Sequence, residues 1–295
     1  MRIGVIFSAV ISLLAINSLA DQNTEPTVTT LLASDVAQVD DALALDQHGN
    51  LYGSHFLGDS VYKIHPDGIV SVFADQLAYP NGLAVDSQGN IFINEYGAGT
   101  IHKYGSDGER LDSFFVDGYP SGLVKDFYSD AMIFTNVLDN SVNKLNTQTG
   151  ETLTLYQGEP LNAPVGLAFD KSGHLYIGNY VGRQIYRLNK GNAQLIEIAT
   201  VPDSGTDFPY LAFITYANGS LFGTVYGEHK VYRITPKPDG SIVTVFAGST
   251  YGDQDGPLST ATFAYPAGIV AAPNGKRLYV SEFSGLGHIR QIDRP

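Results

Sequence analysis

The sequence predicts an all-β chain folded as a six-bladed β-propeller of four-stranded antiparallel blades. Three observations predict it: a strand-turn-strand pattern that recurs six times, a composition rich in turn and strand formers, and an orphan strand at the N-terminal end. Self-similarity at a period of roughly 40 to 50 residues marks a repeat architecture. The six segments run from Ala42 to Ile64, Gly82 to Tyr104, Gly122 to Leu145, Gly166 to Leu188, Ala212 to Ile234 and Gly268 to Ile292. Their anchors Leu43, Leu83, Leu123, Leu167, Phe213 and Ile269 are spaced by 40, 40, 44, 46 and 56 residues.

The second unit shows the blade most clearly. Gly82 to Asp86 reads as a buried strand, Ser87-Gln88-Gly89-Asn90 as a turn, and Ile91 to Asn94 as a second strand. Thr100 to Tyr104 alternates as a third strand, and Leu111 to Val116 forms a more exposed fourth. Four antiparallel strands per repeat make one propeller blade. Tyr62, Tyr104, Tyr186 and Tyr232 sit at equivalent places on the third strands and are expected to pack between blades. No Trp occurs, so no Trp-Asp repeat is present, and no stretch sustains a helical period. The sixth repeat stops after its third strand at Ile292-Asp293, while Thr27 to Leu32 precedes the first repeat. That N-terminal strand is expected to complete the last blade and close the ring, removing an exposed edge.

Gly (32 residues) and Tyr plus Phe (18 and 15) are abundant, as short strands joined by tight turns require. Asp and Glu number 30 against 17 Lys and Arg, a net charge of −13, with no basic stripe, so a nucleic-acid partner is excluded. The same balance suits cations, neutral small molecules or cationic ligands. Cysteine is absent, which removes disulfides, thiolate metal sites and a catalytic thiol. Met1-Arg2, an apolar run from Ile3 to about Ile16, and Ser18-Leu19-Ala20 read as an export signal cleaved after Ala20. The expectation is a secreted or periplasmic protein with a leader over 1–20, a single propeller over 21–295, no membrane span, and a monomeric state.

In such a blade the loop from the second to the third strand and the crossing to the next blade share one face, at the mouth of the central channel. Just before the first strands stand Asp41, Asn81, Ser121, Val165, Leu211 (give or take one) and Ala267. At the ends of the second strands stand His55, Glu95, Asn136, Asn179, Val225 and Glu282. Asp41, His55, Asn81, Glu95, Asn136, Asn179 and Glu282 are therefore the candidate ligand-binding residues. The polar ones gather on the last, first and second blades. Val165, Leu211 and Val225, with Phe208 and Tyr226 nearby, make the opposite side apolar, and such a funnel suits an amphipathic small ligand. Asp203 to Pro209 is a longer insertion between blades, read either as a flap over the funnel or as a surface loop.

The run Ala247-Gly248, Asp255-Gly256, Ala261-Thr262-Phe263 and Tyr265-Pro266-Ala267-Gly268-Ile269 resembles the junction between NHL repeats. Pro80-Asn81-Gly82-Leu83-Ala84-Val85-Asp86 followed by Gly89-Asn90-Ile91-Phe92 resembles the core of that repeat. The likeness covers Leu31 to Ile292 and extends to the gluconolactonase and paraoxonase-like propellers. The gluconolactonase resemblance implies a Ca²⁺-class cation on Asp41, Asn81 and Glu95, although Val165, Ala267 and Leu211 cannot ligate and a hard cation takes about six or more oxygens. A metal-dependent hydrolase of lactones or related esters would polarise the carbonyl with that cation and activate water with His55. His55 is alone among the seven histidines in falling within either ring, which argues against propeller lyases that hold zinc on several histidines. No nucleophile elbow, His-Glu-x-x-His pair or phosphate-binding loop is present. Two readings stand open: a propeller that binds a small molecule, glycan or protein segment at its funnel or rim, and the metal-dependent hydrolase.

Overall fold

The computed structural model describes residues 25–33, 37–189, 191–284 and 287–293. The predicted export signal lies outside the described residues. Strands follow where β-branched and aromatic residues alternate, and tight turns follow where Asp and Gly punctuate them. Asp46, Asp86 and Asp170 each accept backbone N–H groups two and four residues later, which fixes the hairpin between the first and second strands of blades 1, 2 and 4.

Six antiparallel sheets result. Blade 1 comprises Leu43–Leu45, Leu51–His55, Ser60–Ile64 and Val70–Ala74; blade 2 comprises Pro80–Val85, Ile91–Glu95, Thr100–Tyr104 and Arg110–Phe115. Blade 3 comprises Pro120–Lys125, Met132–Asn136, Ser141–Leu145 and Thr152–Gln157; blade 4 comprises Pro164–Phe169, Leu175–Asn179, Gln184–Asn189 and Gln194–Thr200. Blade 5 comprises Leu211–Ala217, Ser220–Val225, Lys230–Thr235 and Ile242–Ala247. Blade 6 comprises Pro266–Ala271, Arg277–Glu282 and Ile289–Asp293, and takes Thr27–Leu32 as its outer strand, paired antiparallel through Val28 to Ile292 and Thr29 to Gln291. The expected closure by the N-terminal strand is thus observed. Gly256–Pro257, inside the insertion responsible for the 56-residue spacing, adds a fifth short strand over the edge of Thr27–Leu32.

The core lies between blades, where buried aliphatic side chains meet tyrosines from the third strands: Tyr104, Tyr186 and Tyr232 are buried and Tyr62 is half-buried, as expected. Near the axis the backbones come close. A Cβ added at Gly82, Gly122 or Gly268 would lie 2.0, 1.9 or 2.1 Å from the carbonyl oxygen of Ser121, Val165 or Asp41 in the next blade, so only glycine fits. Blade 5 departs from this. Ile214 pairs with Gly223 as Leu83 pairs with Ile93, which makes Ile214 the structural anchor and puts Phe213 at the glycine position. The sequence had suggested Phe213 as the anchor; blade 5 keeps the register of blade 2, with Leu211 opposite Val225 as Pro80 is opposite Glu95, so the anchor stands one residue later, at Ile214.

That shift matters for the channel. Phe213 packs against the hydrophobic cluster of blades 5 and 6 and also against that of blades 1 and 2, so its ring crosses the axis. It lines the cavity at one mouth and the groove beyond it, giving the upper cavity a floor. Helix is confined, among the described residues, to the single 3₁₀ turn Tyr226–Glu228, and no helix is long and apolar enough to cross a membrane.

Candidate functional site

The funnel above Phe213 encloses about 360 Å³ and is built from two concentric sets of repeat-equivalent residues. The inner set, one residue into or just before each first strand, is Asp41, Asn81, Ser121, Val165, Ala212 and Ala267. Leu211 is fully buried and pairs with Val225, so Ala212 takes the place the sequence left uncertain. The inner ring is polar across blades 1 to 3 and apolar across blades 4 to 6, rather than polar across blades 6, 1 and 2. Ser121 Oγ donates to Asn81 Oδ1 at 3.3 Å.

The outer set is the residue directly after each second strand: Phe56, Tyr96, Val137, Tyr180, Tyr226 and Phe283. Five of the six are aromatic. The backbone N–H of Tyr96, Val137, Tyr180, Tyr226 and Phe283 donates to the carbonyl of Tyr79, Tyr119, Ala163, Tyr210 and Tyr265, so the same turn geometry aims each position at the mouth. In blade 1 the carboxylate of Asp40 accepts the Phe56 N–H instead. Ring contacts join Tyr119, Tyr96, Phe56, Phe283, Tyr226 and Tyr265 into one arc over blades 3, 2, 1, 6 and 5, with centroid separations of 4.7 to 6.1 Å. Tyr180 stacks on Tyr210 at 4.4 Å on the other side, and Phe208 from the 203–209 insertion joins the wall there. This collar escaped the sequence reading. Its signal was present, as an aromatic immediately after the polar residue in His55-Phe56, Glu95-Tyr96, Asn179-Tyr180 and Glu282-Phe283.

The polar residues at the ends of the second strands do other work. Asn81 and Asp41 line the cavity, but His55, Glu95, Asn136, Asn179 and Glu282 do not. Glu95 accepts the Ala78 N–H at 2.6 Å and meets His102 Nε2 at 2.8 Å. Asn136 accepts from Tyr119 N, and Asn179 accepts from Asn162 N while donating to Pro160 O. Glu282 accepts the Ala264 N–H at 2.9 Å. His55 lies 3.7 Å from Asp40. Glu95, Asn136, Asn179 and Glu282 each buckle their own blade's crossing loop to the second strand, because an unpaired loop N–H behind the wall would be costly. Val225 is apolar, and Glu228 takes that duty in blade 5 by accepting from Ser204 N.

The fit of a Ca²⁺-class cation follows from these donors. Glu95 is engaged behind the wall, the Ser121 hydroxyl is turned onto Asn81, and Val165, Ala212 and Ala267 carry no side-chain oxygen. Among the described residues no group of three or more His, Cys, Asp or Glu converges. Asp41, Asn81 and Glu95 therefore do not form the oxygen cage that a hard cation takes, and His55 does not line the cavity.

Asp41 is the chemically distinctive group. It is 7 % exposed, its carboxyl makes no hydrogen bond to protein among the described residues, and burial, with Asp40 beside it, holds its pKa well above the usual carboxylate range. Tyr180 and Tyr226 feel its charge, and burial with neighbouring tyrosine and aspartate raises Tyr226 to about 12. A folded-state pKa raised above the unfolded value makes Asp41 increasingly destabilising as pH climbs from the ordinary aspartate range towards the raised value, by about 1.4 kcal/mol per unit. Asp41→Asn is thus expected to be more stable than wild type at pH 7, by more than about 1 kcal/mol, and to match it near pH 4. Urea unfolding at the two pH values reads this directly; equal stability at pH 7 would show that the carboxyl is ionised there at no cost.

No family model and no curated protein match the sequence. Solved structures do match in fold. A gluconolactonase from Xanthomonas campestris superposes with TM-score 0.71 at 18% identity, over 92% of this chain and 90% of that one. An auxiliary nutrient binding protein from Bacteroides ovatus gives 0.72 at 16%, over 91% and 76%. A virginiamycin B lyase from Staphylococcus aureus gives 0.62 at 18%, over 86% and 80%. At these identities the likeness is one of propeller fold, common to binding proteins and enzymes alike.

Proposed function

We propose that this protein binds a small neutral or cationic molecule in its blind funnel, outside the cytoplasm, and that its blades are of the NHL kind. The observation that carries the reading is the aromatic collar over a floor with a single acid. A cavity of about 360 Å³ falls within the range of small-ligand pockets, about 300–1,000 Å³. Its wall contains no Lys, Arg or His, so an anionic ligand would lose its hydration without a partner. The rings supply apolar faces, and Asn81, Ser121 and Asp41 supply polar contacts on one side, which orients an amphipathic guest. The fold shared with a nutrient binding protein supports the same reading, and the N-terminal apolar segment supports export. The metal-dependent lactonase reading lacks its oxygen cage here.

A thermal-shift screen of neutral, cationic and anionic small molecules tests the proposal. Stabilising ligands are expected among the first two classes only. Replacing both Tyr96 and Tyr180 by Ala should weaken the best of them about fivefold or more, since each aromatic contact is worth about 0.5–1.5 kcal/mol. Calcium and chelator should leave the melting temperature of the free protein unchanged. Hits confined to anions, indifference to the double substitution, or a chelator-sensitive lactonase activity would each overturn it.

A further inference from the structure

We infer that the funnel's ligand is an organic monocation, a quaternary or tertiary methylated amine, whose head group sits in the aromatic collar against Asp41. The inference rests on the binding function proposed above and narrows it.

Four observations converge on this class. Asp41 is a carboxyl more than nine-tenths buried, faces the cavity and has no protein hydrogen-bond partner among the described residues, which leaves it free to meet a guest. The wall offers no basic residue to compete for it. Phe56, Tyr96, Tyr180, Tyr226 and Phe283 surround the mouth, and the negative faces of such rings attract a cation whose charge is spread over methyl groups. The fourth point separates methylated from primary amines. A primary ammonium is compact and needs acceptors for three N–H donors at once, whereas the collar of ring faces over Val165, Ala212 and Ala267 offers mostly apolar contact, which methyl groups fill. A head group with one N–H or none leaves no donor stranded.

The acid also makes binding proton-linked. The titratable groups around Asp41 are Asp40 on the same segment, His55 at the end of Leu51–His55 and held near Asp40, and Tyr180 and Tyr226 from blades 4 and 5. Blades 2 and 3 present the uncharged Asn81 and Ser121, and blades 4, 5 and 6 the apolar Val165, Ala212 and Ala267. Burial favours the neutral acid in the free protein. A cation stabilises the carboxylate, so its arrival expels the carboxyl proton to solvent: one proton leaves as one positive charge enters.

Calorimetric titration of the mature protein with choline, tetramethylammonium and N,N-dimethylethanolamine, against the neutral isostere 3,3-dimethylbutan-1-ol, tests the assignment. The cations are expected to bind at least tenfold more tightly than the isostere. Their affinity should rise by up to about tenfold per pH unit below the Asp41 pKa, with one proton released, as seen by comparing buffers of different ionisation enthalpy. Asp41→Asn, whose fold is checked by its melting curve, should lose the cation preference and the pH dependence while keeping the isostere. If the isostere binds as tightly as choline, or Asp41→Asn binds choline like wild type, the cation assignment fails and the funnel-binding reading stands. If no cation binds while a neutral screening hit depends on Tyr96 and Tyr180, the assignment fails in the same way. If no compound of either class binds, both fall.

Discussion

A chain beginning after Leu32 is expected not to form a stable monomer. Compared with a chain beginning at Asp21, it loses the strand that pairs with Ile289–Asp293 on one side and Gly256–Pro257 on the other. It also loses Val28, fully buried in the cluster of blades 5 and 6, and Leu32, buried against blade 1. Burying two such side chains contributes about 1.5–3 kcal/mol each, against a total stability of about 5–15 kcal/mol for a native domain. The larger consequence is topological. Without Thr27–Leu32, strand Ile289–Asp293 becomes an open edge with unpaired N–H and C=O groups, a template for association between chains. Light scattering and thermal melting should report aggregates or a collapsed melting temperature; a monomer melting like the longer chain would show that the seam does not depend on this strand.

The second large effect is expected from Arg290, which is fully buried behind the same seam. Its guanidinium donates to Thr262 O at 2.7 Å, to Glu282 Oε1 at 3.1 Å and to Asp255 Oδ1 at 2.8 Å, and lies 5.3 Å from the centre of the Phe263 ring. Asp255 in turn accepts the Thr30 N–H and hydroxyl at 3.0 Å, so one arginine ties the closing strand, the 248–265 insertion and blade 6 together. Removing one partner of a buried ion pair typically costs about 3–5 kcal/mol because the other is left uncompensated. Arg290→Met is expected to fall in that range at pH 8. Burial already raises Glu282 to about 7 despite the arginine, with His288 Nδ1 3.3 Å from its other oxygen. A raised carboxyl pKa means that Glu282 stabilises least above that value and most below the unfolded value. The loss in Arg290→Met should therefore shrink towards pH 5, where Glu282 takes up a proton and needs no counter-charge. Adding Glu282→Gln should recover part of the pH 8 loss. Denaturant unfolding at both pH values checks the sign, and a pH-independent loss would place the cost in packing rather than charge.

The sequence by itself determined the six repeats, their strand limits to within a residue or two, the absence of α-helix among the described residues and the closing role of Thr27 to Leu32. These depend on local chemistry: alternating β-branched and aromatic residues in every blade, Asp-x-x-Gly turns in blades 1, 2 and 4, and one strand short at the C-terminal end and one over at the N-terminal end. The inner ring was legible for the same reason, since Asp41, Asn81, Ser121, Val165 and Ala267 hold equivalent places in the repeat. Tertiary structure alone decided what faces the ligand. Glu95, Asn136, Asn179 and Glu282 read as mouth residues until loop N–H groups of their own blades claim them, because a buried donor left unpaired costs more than a carboxylate or amide gains by facing water. The residue that follows each, aromatic except for Val137, then takes the wall. Blade 5 keeps the register of blade 2 but carries Phe213 where that blade has Gly82, so Ala212 and Ile214 hold the places that the sequence suggested for Leu211 and Phe213, and a phenyl ring closes the channel; strand side chains alternate with a period of two, so a difference of one residue reverses which face each presents. The state of Asp41 is tertiary in the same sense, since six blades converging on one axis desolvate a carboxyl that its neighbours in sequence would leave in water.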